Sequence, residues 1–161
     1  MQNYMKLEIA ALGENESFAR SAVAAFALCL RPSLSEISDI KTAVSEGVTN
    51  AIVHAYRHEK QGEITITCRA EKELLEDEKS VGGVLHIEIT DQGCGIENVE
   101  QALLPFYTTL PGEERSGMGF TIMQTFCDEF FIESEKGKGT RVRMSKRIGV
   151  SEEKEPALDG A

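Results

Sequence analysis

Glu46 and Asn50 stand four residues apart in the run Ser45-Glu46-Gly47-Val48-Thr49-Asn50. On a helix that spacing sets two side chains about 40° apart around the axis, on one face. A carboxylate and a carboxamide so paired could serve as a general base and as an oxygen ligand for Mg²⁺, an ion that prefers hard oxygen donors and takes only one or two from protein beside phosphates and water. They could equally be a solvated helical pair. His54 continues the same edge, where packing or capping accounts for an imidazole as well as chemistry does.

Asp91-Gln92-Gly93-Cys94-Gly95 directly follows a strand-like run. Its aspartate can point into a cleft and accept from an exocyclic amine, while Gly93 and Gly95 allow close backbone approach or a sharp turn; an Asp-initiated turn is the plainer alternative. Gly117-Met118-Gly119 opens a helical pattern, where free N–H groups and the helix dipole favour an anion. Arg115 precedes it and could neutralise charge developing on a transferring phosphate, or simply be solvated. Thr108 and Thr109 could donate to phosphate or satisfy turn backbone. No G-x-x-x-x-G-K-[ST] loop and no H-R-D or D-F-G set occurs, so the P-loop and protein-kinase architectures do not apply.

These residues need elements to hold them. Alternation over Tyr4 to Leu12 predicts a strand, and Asn15 offers a cap for a helix carrying Phe18, Ala22, Val23 and Phe26. Ser33 and Glu36 form an S-x-x-E capping box after Pro32, opening a second helix that runs to about Tyr56 with an apolar stripe of Ile37, Ile40, Val44, Val48, Ala51 and Ala55. Glu46 lies opposite that stripe. Glu63 to Cys68 and Val84 to Thr90 alternate and pair as a hairpin by default; the charge-dense stretch from Glu71 to Gly83 between them reads as a long solvated connection with at most a helical turn. A short helix near Val99 to Leu104, a loop from Pro105 to Ser116, a helix over Gly117 to Cys127 and two strands, Glu129 to Ser134 and Thr140 to Ser145, complete the series. The mixture without strict β-α-β alternation predicts an α+β fold, a two-layer sandwich with helices on one face of a mixed, mainly antiparallel sheet. Residues 1–148 read as one domain and 149–161 as a frayed acidic tail.

The composition fits that picture. The chain has 161 residues, 41% of them hydrophobic and 27% charged, with a formal charge of −10, which opposes diffuse attraction to nucleic acid or an anionic membrane. Lys136, Lys138, Arg141, Arg143, Lys146 and Arg147 cluster near the C-terminal strand but no aromatic interleaves them, so a solvated strand edge guarded by cations is the expectation. Cys29, Cys68, Cys94 and Cys127 are scattered without a C-x-x-C pair, which points to a reducing cytoplasm rather than zinc or disulfides. The longest apolar run, Ala22 to Leu30, is too short for a membrane span, and Met1-Gln2-Asn3 does not begin a signal peptide.

The order E-x-x-x-N on a helix, D-x-G-x-G after a strand and G-x-G at a helix start resembles the GHKL ATPase and kinase superfamily. That resemblance implies an ATP site in which Asn50 binds Mg²⁺, Glu46 is the catalytic base, Asp91 reads adenine, Gly93, Gly95, Gly117 and Gly119 admit the nucleotide, and Thr140 lies near the base. Over nearly the whole chain, through Asn15-Glu16-Ser17-Phe18-Ala19-Arg20, Ser45 to Ala51 and Glu114-Arg115-Ser116-Gly117-Met118-Gly119-Phe120-Thr121-Ile122-Met123, the sequence is similar to the sporulation anti-sigma serine kinases of that superfamily. The resemblance implies a homodimer that binds the sporulation sigma F factor in the presence of ATP and phosphorylates a serine of an anti-anti-sigma factor. It also implies nucleotide contacts from Thr108, Thr109 and Ser116, a γ-phosphate contact from Arg115, and Arg20 on the sigma-facing surface. Ala55 stands where relatives often carry Gly, and Leu110 where they tend to carry Lys. Two other readings stay open: the ATP-binding module of a sensor histidine kinase, disfavoured because His54, His58 and His86 do not lie in a separate preceding helical segment, and an ATP-dependent binding switch without catalysis.

Overall fold

The computed structural model describes residues 2–57, 62–74, 81–105, 107 and 118–149. Strand β1 (Asn3–Ala10) pairs with β2 (Glu63–Leu74), β2 with β3 (Val81–Asp91), β3 with β5 (Gly139–Ile148) and β5 with β4 (Glu129–Glu135), giving the order β1-β2-β3-β5-β4. All four pairings are antiparallel, which corrects the mixed sheet expected from the sequence. The connection after β3 delivers β4 in the same direction as β3, but the β4–β5 hairpin drops β5 between them, so no parallel neighbours form.

The second correction concerns residues 71–83. Most of that stretch is not a solvated connection: the β2–β3 ladder continues from Ile64↔Asp91 out to Leu74↔Val81. Glu71, Lys72 and Glu73, which read as part of a loop, sit on β2 and are exposed. Arg69 and Glu71 are exposed there while Cys68 and Ala70 are buried, the alternation of a half-buried antiparallel strand.

Helices α1 (Glu14–Ala27), α2 (Leu34–Asn50) and α4 (Gly119–Phe126) cover the other face, with α3 (Val99–Ala102) a single turn beyond β3. Ile64, Ile66, Leu85, Ile87 and Ile89 of the sheet pack with Val23, Ile40, Val44, Val48 and Met123 of the helices. In α1 it is the small residues Ala19, Ala24 and Ala27, together with Val23, that are buried. Phe18, expected on the apolar face, is 54% exposed. Asn15 is not the cap either: Gly13 holds that position, and the Asn15 carboxamide donates to the Ala10 carbonyl at 2.9 Å, tying α1 to the end of β1.

The capping box of α2 forms as the sequence predicts. Glu36 N donates to Ser33 Oγ at 3.2 Å and Ser33 N to Glu36 Oε2 at 2.7 Å. The other Glu36 oxygen accepts from Gly149 N at 3.0 Å, and Lys146 Nζ, 3.0 Å from Asp39 Oδ2, also donates to the Phe126 carbonyl at 2.9 Å. The first turns of α2 are thereby bolted to β5 and to the C-terminal end of α4. Gly47 sets the approach of α2 to the sheet, since a Cβ there would lie 2.5 Å from Ile89 Cδ1.

Strand β5 is an interior strand, not the edge inferred from its cations. Each cation of that cluster faces a carboxylate: Lys136 with Glu97, Lys138 with Glu135, Arg141 with Glu88 and Glu133, Arg143 with Glu133, Lys146 with Asp39, and Arg147 with Glu73. Burial pushes the Cys68 thiol up to about 12 and the Cys127 thiol up to about 11, so both remain protonated packing groups.

Loss of one capping oxygen at a helix start costs about 1 kcal/mol. Ser33→Ala is therefore expected to lower the urea midpoint by that amount of unfolding free energy with an unchanged m-value, measured by circular dichroism.

Candidate functional site

Helix α2 ends at Asn50 and continues as one wide π-turn over Ala51–Ala55, closed by Tyr56 N donating to the Ala51 carbonyl at 3.1 Å. Such turns insert an extra residue and rotate the side chains that follow by about 100° relative to a regular helix. Glu46 and Asn50, both half-buried, meet the first residue of α4 just before this turn. A Cβ on Gly119 would lie 3.0 Å from Asn50 Nδ2, 3.1 Å from Asn50 Oδ1 and 3.2 Å from Glu46 Oε2. The face of α2 opposite its apolar stripe is thus turned toward the start of another helix, and a glycine at that point keeps the gap open.

Asp91 ends β3 and is 6% exposed. Its Oδ1 accepts from Gly93 N at 2.9 Å and from Thr140 N at 3.2 Å. No hydrogen bond to Oδ2 is present among the described residues, so that oxygen keeps its acceptor capacity for a donor in the cleft that Asp91 lines. Burial raises the carboxyl above its ordinary value, and the two backbone N–H groups pull it back down.

The glycines around Asp91 have distinct jobs. Gly139, at φ +84°, passes its backbone against Asp91, and Gly95, at φ +69°, passes against Glu135. Gly93 backs onto the π-turn, where a Cβ would lie 2.6 Å from the Ala55 methyl. Ala55 is accommodated because its neighbour across the gap has no side chain. Thr140 Oγ1 lies 2.8 Å from Ser134 Oγ, which accepts from Ile96 N at 2.8 Å and donates to the Gly139 carbonyl at 2.9 Å.

A cleft of about 500 Å³ joins these groups: Asn50, Gly119, Asp91, Gly95 and Thr140 all line it, with Ile89, Ile96 and Val142 among its apolar lining. Glu46 does not line this cleft but a second groove between α1 and α2, shared with Arg20, Lys41 and Ser45. Arg20 is therefore apart from the cleft, paired with Glu16 at 3.5 Å, and Glu16 also accepts from the Ser45 hydroxyl. Thr108, Thr109, Arg115, Ser116 and Gly117, like Leu110 and His58, lie outside the described residues. Sequence reasoning missed Tyr56 and Ser134. Their partners Gln92 and Ile96 lie 36 and 38 residues away, a separation at which no spacing rule operates.

Among the described residues no group of three or more His, Cys, Asp or Glu could hold a metal ion unaided. One carboxamide oxygen at the cleft wall, with a carboxylate beside it, fits an ion that completes its shell with phosphate and water, as Mg²⁺ does.

Residues 9–146 match the histidine kinase-like ATPase domain family. An anti-sigma F factor of Caldanaerobacter subterraneus subsp. tengcongensis is 54% identical over 147 residues, covering 91% of this chain and 95% of that one. One from Clostridium botulinum is 50% identical over 149 residues, with 92% and 97% covered. This chain belongs to the anti-sigma F factor family. The solved structures extend the fold further: a structure of the RsbU and RsbW domains of a Mycobacterium tuberculosis protein aligns over 91% of this chain and 32% of that chain with a TM-score of 0.59 at 18% identity. A mycobacterial sensor histidine kinase, MprB, aligns over 89% and 98% with a TM-score of 0.50 at 16% identity. This chain thus shares the fold of these solved domains. No helix among the described residues is long and apolar enough to cross a membrane.

In this family member Asp91→Asn tests the part of the cleft around Gly95 and Thr140. The amide keeps an oxygen for Gly93 N and Thr140 N but puts N–H donors where Oδ2 accepts, so adenine nucleotide affinity is expected to fall more than about tenfold in calorimetric titration. Because burial raises the Asp91 pKa in the folded state, ionising Asp91 costs stability as pH rises from the unfolded carboxyl value through the raised folded value. The Asn variant should be at least as stable as the unaltered protein at pH 7, and that advantage should vanish below about pH 4 in urea melts.

Proposed function

We propose that this chain is an ATP- and Mg²⁺-dependent protein serine kinase that also acts as an anti-sigma factor on the sporulation sigma F factor, with a serine of the anti-anti-sigma factor as its substrate. The observation that carries the reading is the meeting of Glu46 and Asn50 with Gly119, beside a cleft also lined by an aspartate with an open acceptor. Asp91 takes the adenine amine, with Gly93, Gly95 and Thr140 shaping the base end. Asn50 supplies the oxygen for Mg²⁺, which when bound offsets phosphate charge. Gly117 and Gly119 bring amides to the phosphates, Thr108, Thr109 and Ser116 add hydroxyl donors, and Arg115 stabilises the charge on the migrating phosphoryl group.

Glu46 lines the α1–α2 groove and meets Gly119, which lines the cleft. That position suits a base that takes the proton of a serine arriving from outside while its oxygen attacks the γ-phosphorus, the bond to the β-phosphate oxygen breaks, and ADP leaves. Arg20 on the outer groove belongs to the partner-facing surface. The protein works in the cytoplasm as a homodimer, with residues 1–148 as the ATP-binding domain and 149–161 as an acidic tail. The names of the relatives support the sigma F partner, and the ATPase-domain match supports ATP as the cofactor.

The test is incubation with γ-labelled ATP, the anti-anti-sigma factor and sigma F. Label on a serine of the antagonist supports the kinase; label on a histidine points to a sensor-kinase module, and ATP-dependent capture of sigma F without label points to a binding switch. Glu46→Ala is expected to keep ATP binding and lose transfer by about a hundredfold or more. Normal transfer by that variant removes Glu46 from the mechanism.

A further inference from the structure

The turn that carries Asp91 into the cleft is gripped from one side by the end of α2. Gln92 N donates to the Tyr56 hydroxyl at 2.7 Å, and that hydroxyl donates onward to the Glu63 carbonyl at 2.6 Å. Two residues further along, Cys94 N donates to the Ala55 carbonyl at 2.9 Å and Cys94 Sγ to the His54 carbonyl at 3.2 Å. The π-turn makes this grip possible. By adding a residue after Asn50 it turns Tyr56 out of the helical stripe toward the beginning of β2 and the end of β3, with the phenol as the bridge between them. Gly62 completes the seat: a Cβ there would lie 2.7 Å from Tyr56 Cδ1, so the ring rests on bare backbone. The hydroxyl accepts one bond and donates one, which uses its single proton and orients it without ambiguity.

Asn50 and Tyr56 are therefore the two ends of one rigid turn, with the metal-side carboxamide at its start and the brace on the base-reading strand at its end. The Gln92 amide is the peptide link adjoining Asp91, so its placement sets the angle at which the carboxylate meets a ligand. Resting on the adenine-nucleotide reading above, we infer that the Tyr56 hydroxyl is a positioning residue for purine selectivity: it holds the Asp91 turn in the register at which Oδ2 meets the six-amino group of adenine. Without the brace the turn loses its Gln92 bond and β2 its Glu63 bond to the phenol, and the carboxylate loses directional preference before the cleft loses its capacity for the triphosphate.

The experiment compares ATP with inosine triphosphate, which carries an oxygen in place of the six-amine, in equilibrium titrations of the full chain and of Tyr56→Phe. The substitution keeps the ring on Gly62 and removes only the bridging hydroxyl. The unaltered protein should prefer ATP, and in Tyr56→Phe the preference should shrink about five- to tenfold, with ATP binding weakened and inosine triphosphate binding changed by less than about twofold. Because both nucleotides report on the same folded molecules, their ratio is independent of any loss of stability in the variant. A ratio unchanged by Tyr56→Phe, including the case in which both affinities fall together, overturns the inference while leaving the nucleotide reading intact. Failure of the unaltered protein to bind ATP, or to prefer it, overturns that reading and the inference with it.

Discussion

Helix α2 has to lie on the sheet along one face and meet the beginning of α4 along another, and glycine stands at both contacts. Gly47 lets the helix down onto Ile89, and Gly119 leaves the gap in which Glu46 and Asn50 face a helix N-terminus. A side chain at Gly47 would have to displace the end of Ile89, and one at Gly119 would crowd the ends of Asn50 and Glu46, because packed interiors absorb an added methyl only by moving something. The Asp39–Lys146 pair and the Glu36 contact to Gly149 hold the early turns of α2 to β5 and the end of α4. The polar face of one helix is thus placed with the accuracy of its apolar face.

The same helix then organises the turn after Asp91 through its π-turn. Asp91 could have been a turn-former and nothing more, since its Oδ1 does make the bond to Gly93 N that an Asp turn requires. The second N–H, from Thr140, arrives on that same oxygen from β5, and the other oxygen keeps its acceptor capacity. Two structural bonds on one oxygen and none on the other give Asp91 a capacity beyond that of a turn residue, which local spacing alone leaves undecided.

The sequence made some of this architecture legible and hid the rest for identifiable reasons. Helix α2 could be read because its capping box and apolar period are local signals, and the β2 and β3 cores because alternation is local too. The outer part of the β2–β3 hairpin was hidden because Glu71, Lys72 and Glu73 have the composition of a loop, and only pairing with Val84, Gly83 and Gly82 makes them a strand. The mainly antiparallel sheet was legible, but the strand order was hidden because β5 slips between β3 and β4, a choice of topology that no single strand records. Phe18 misled because α1 packs through alanines, where close approach to the sheet outweighs the burial of one large ring. Glu46, Asn50 and Asp91 were visible as types and spacings, but their mutual placement depends on Gly119 arriving from a distant element. Tyr56 and Ser134 carried no signal because a tyrosine after a helix and a serine in a strand are ordinary until their partners appear.

The central claim is one cleft in which Asn50 and a divalent ion hold the phosphates while Asp91 holds the base. Calorimetric titration of the purified chain with ATP, in magnesium and then in chelator, tests it most directly when repeated with Asn50→Ala. The account predicts saturable one-to-one binding that weakens at least about tenfold without magnesium, and an Asn50→Ala variant whose residual binding no longer responds to the ion. Binding of equal strength with and without magnesium, or no binding at all, would contradict it.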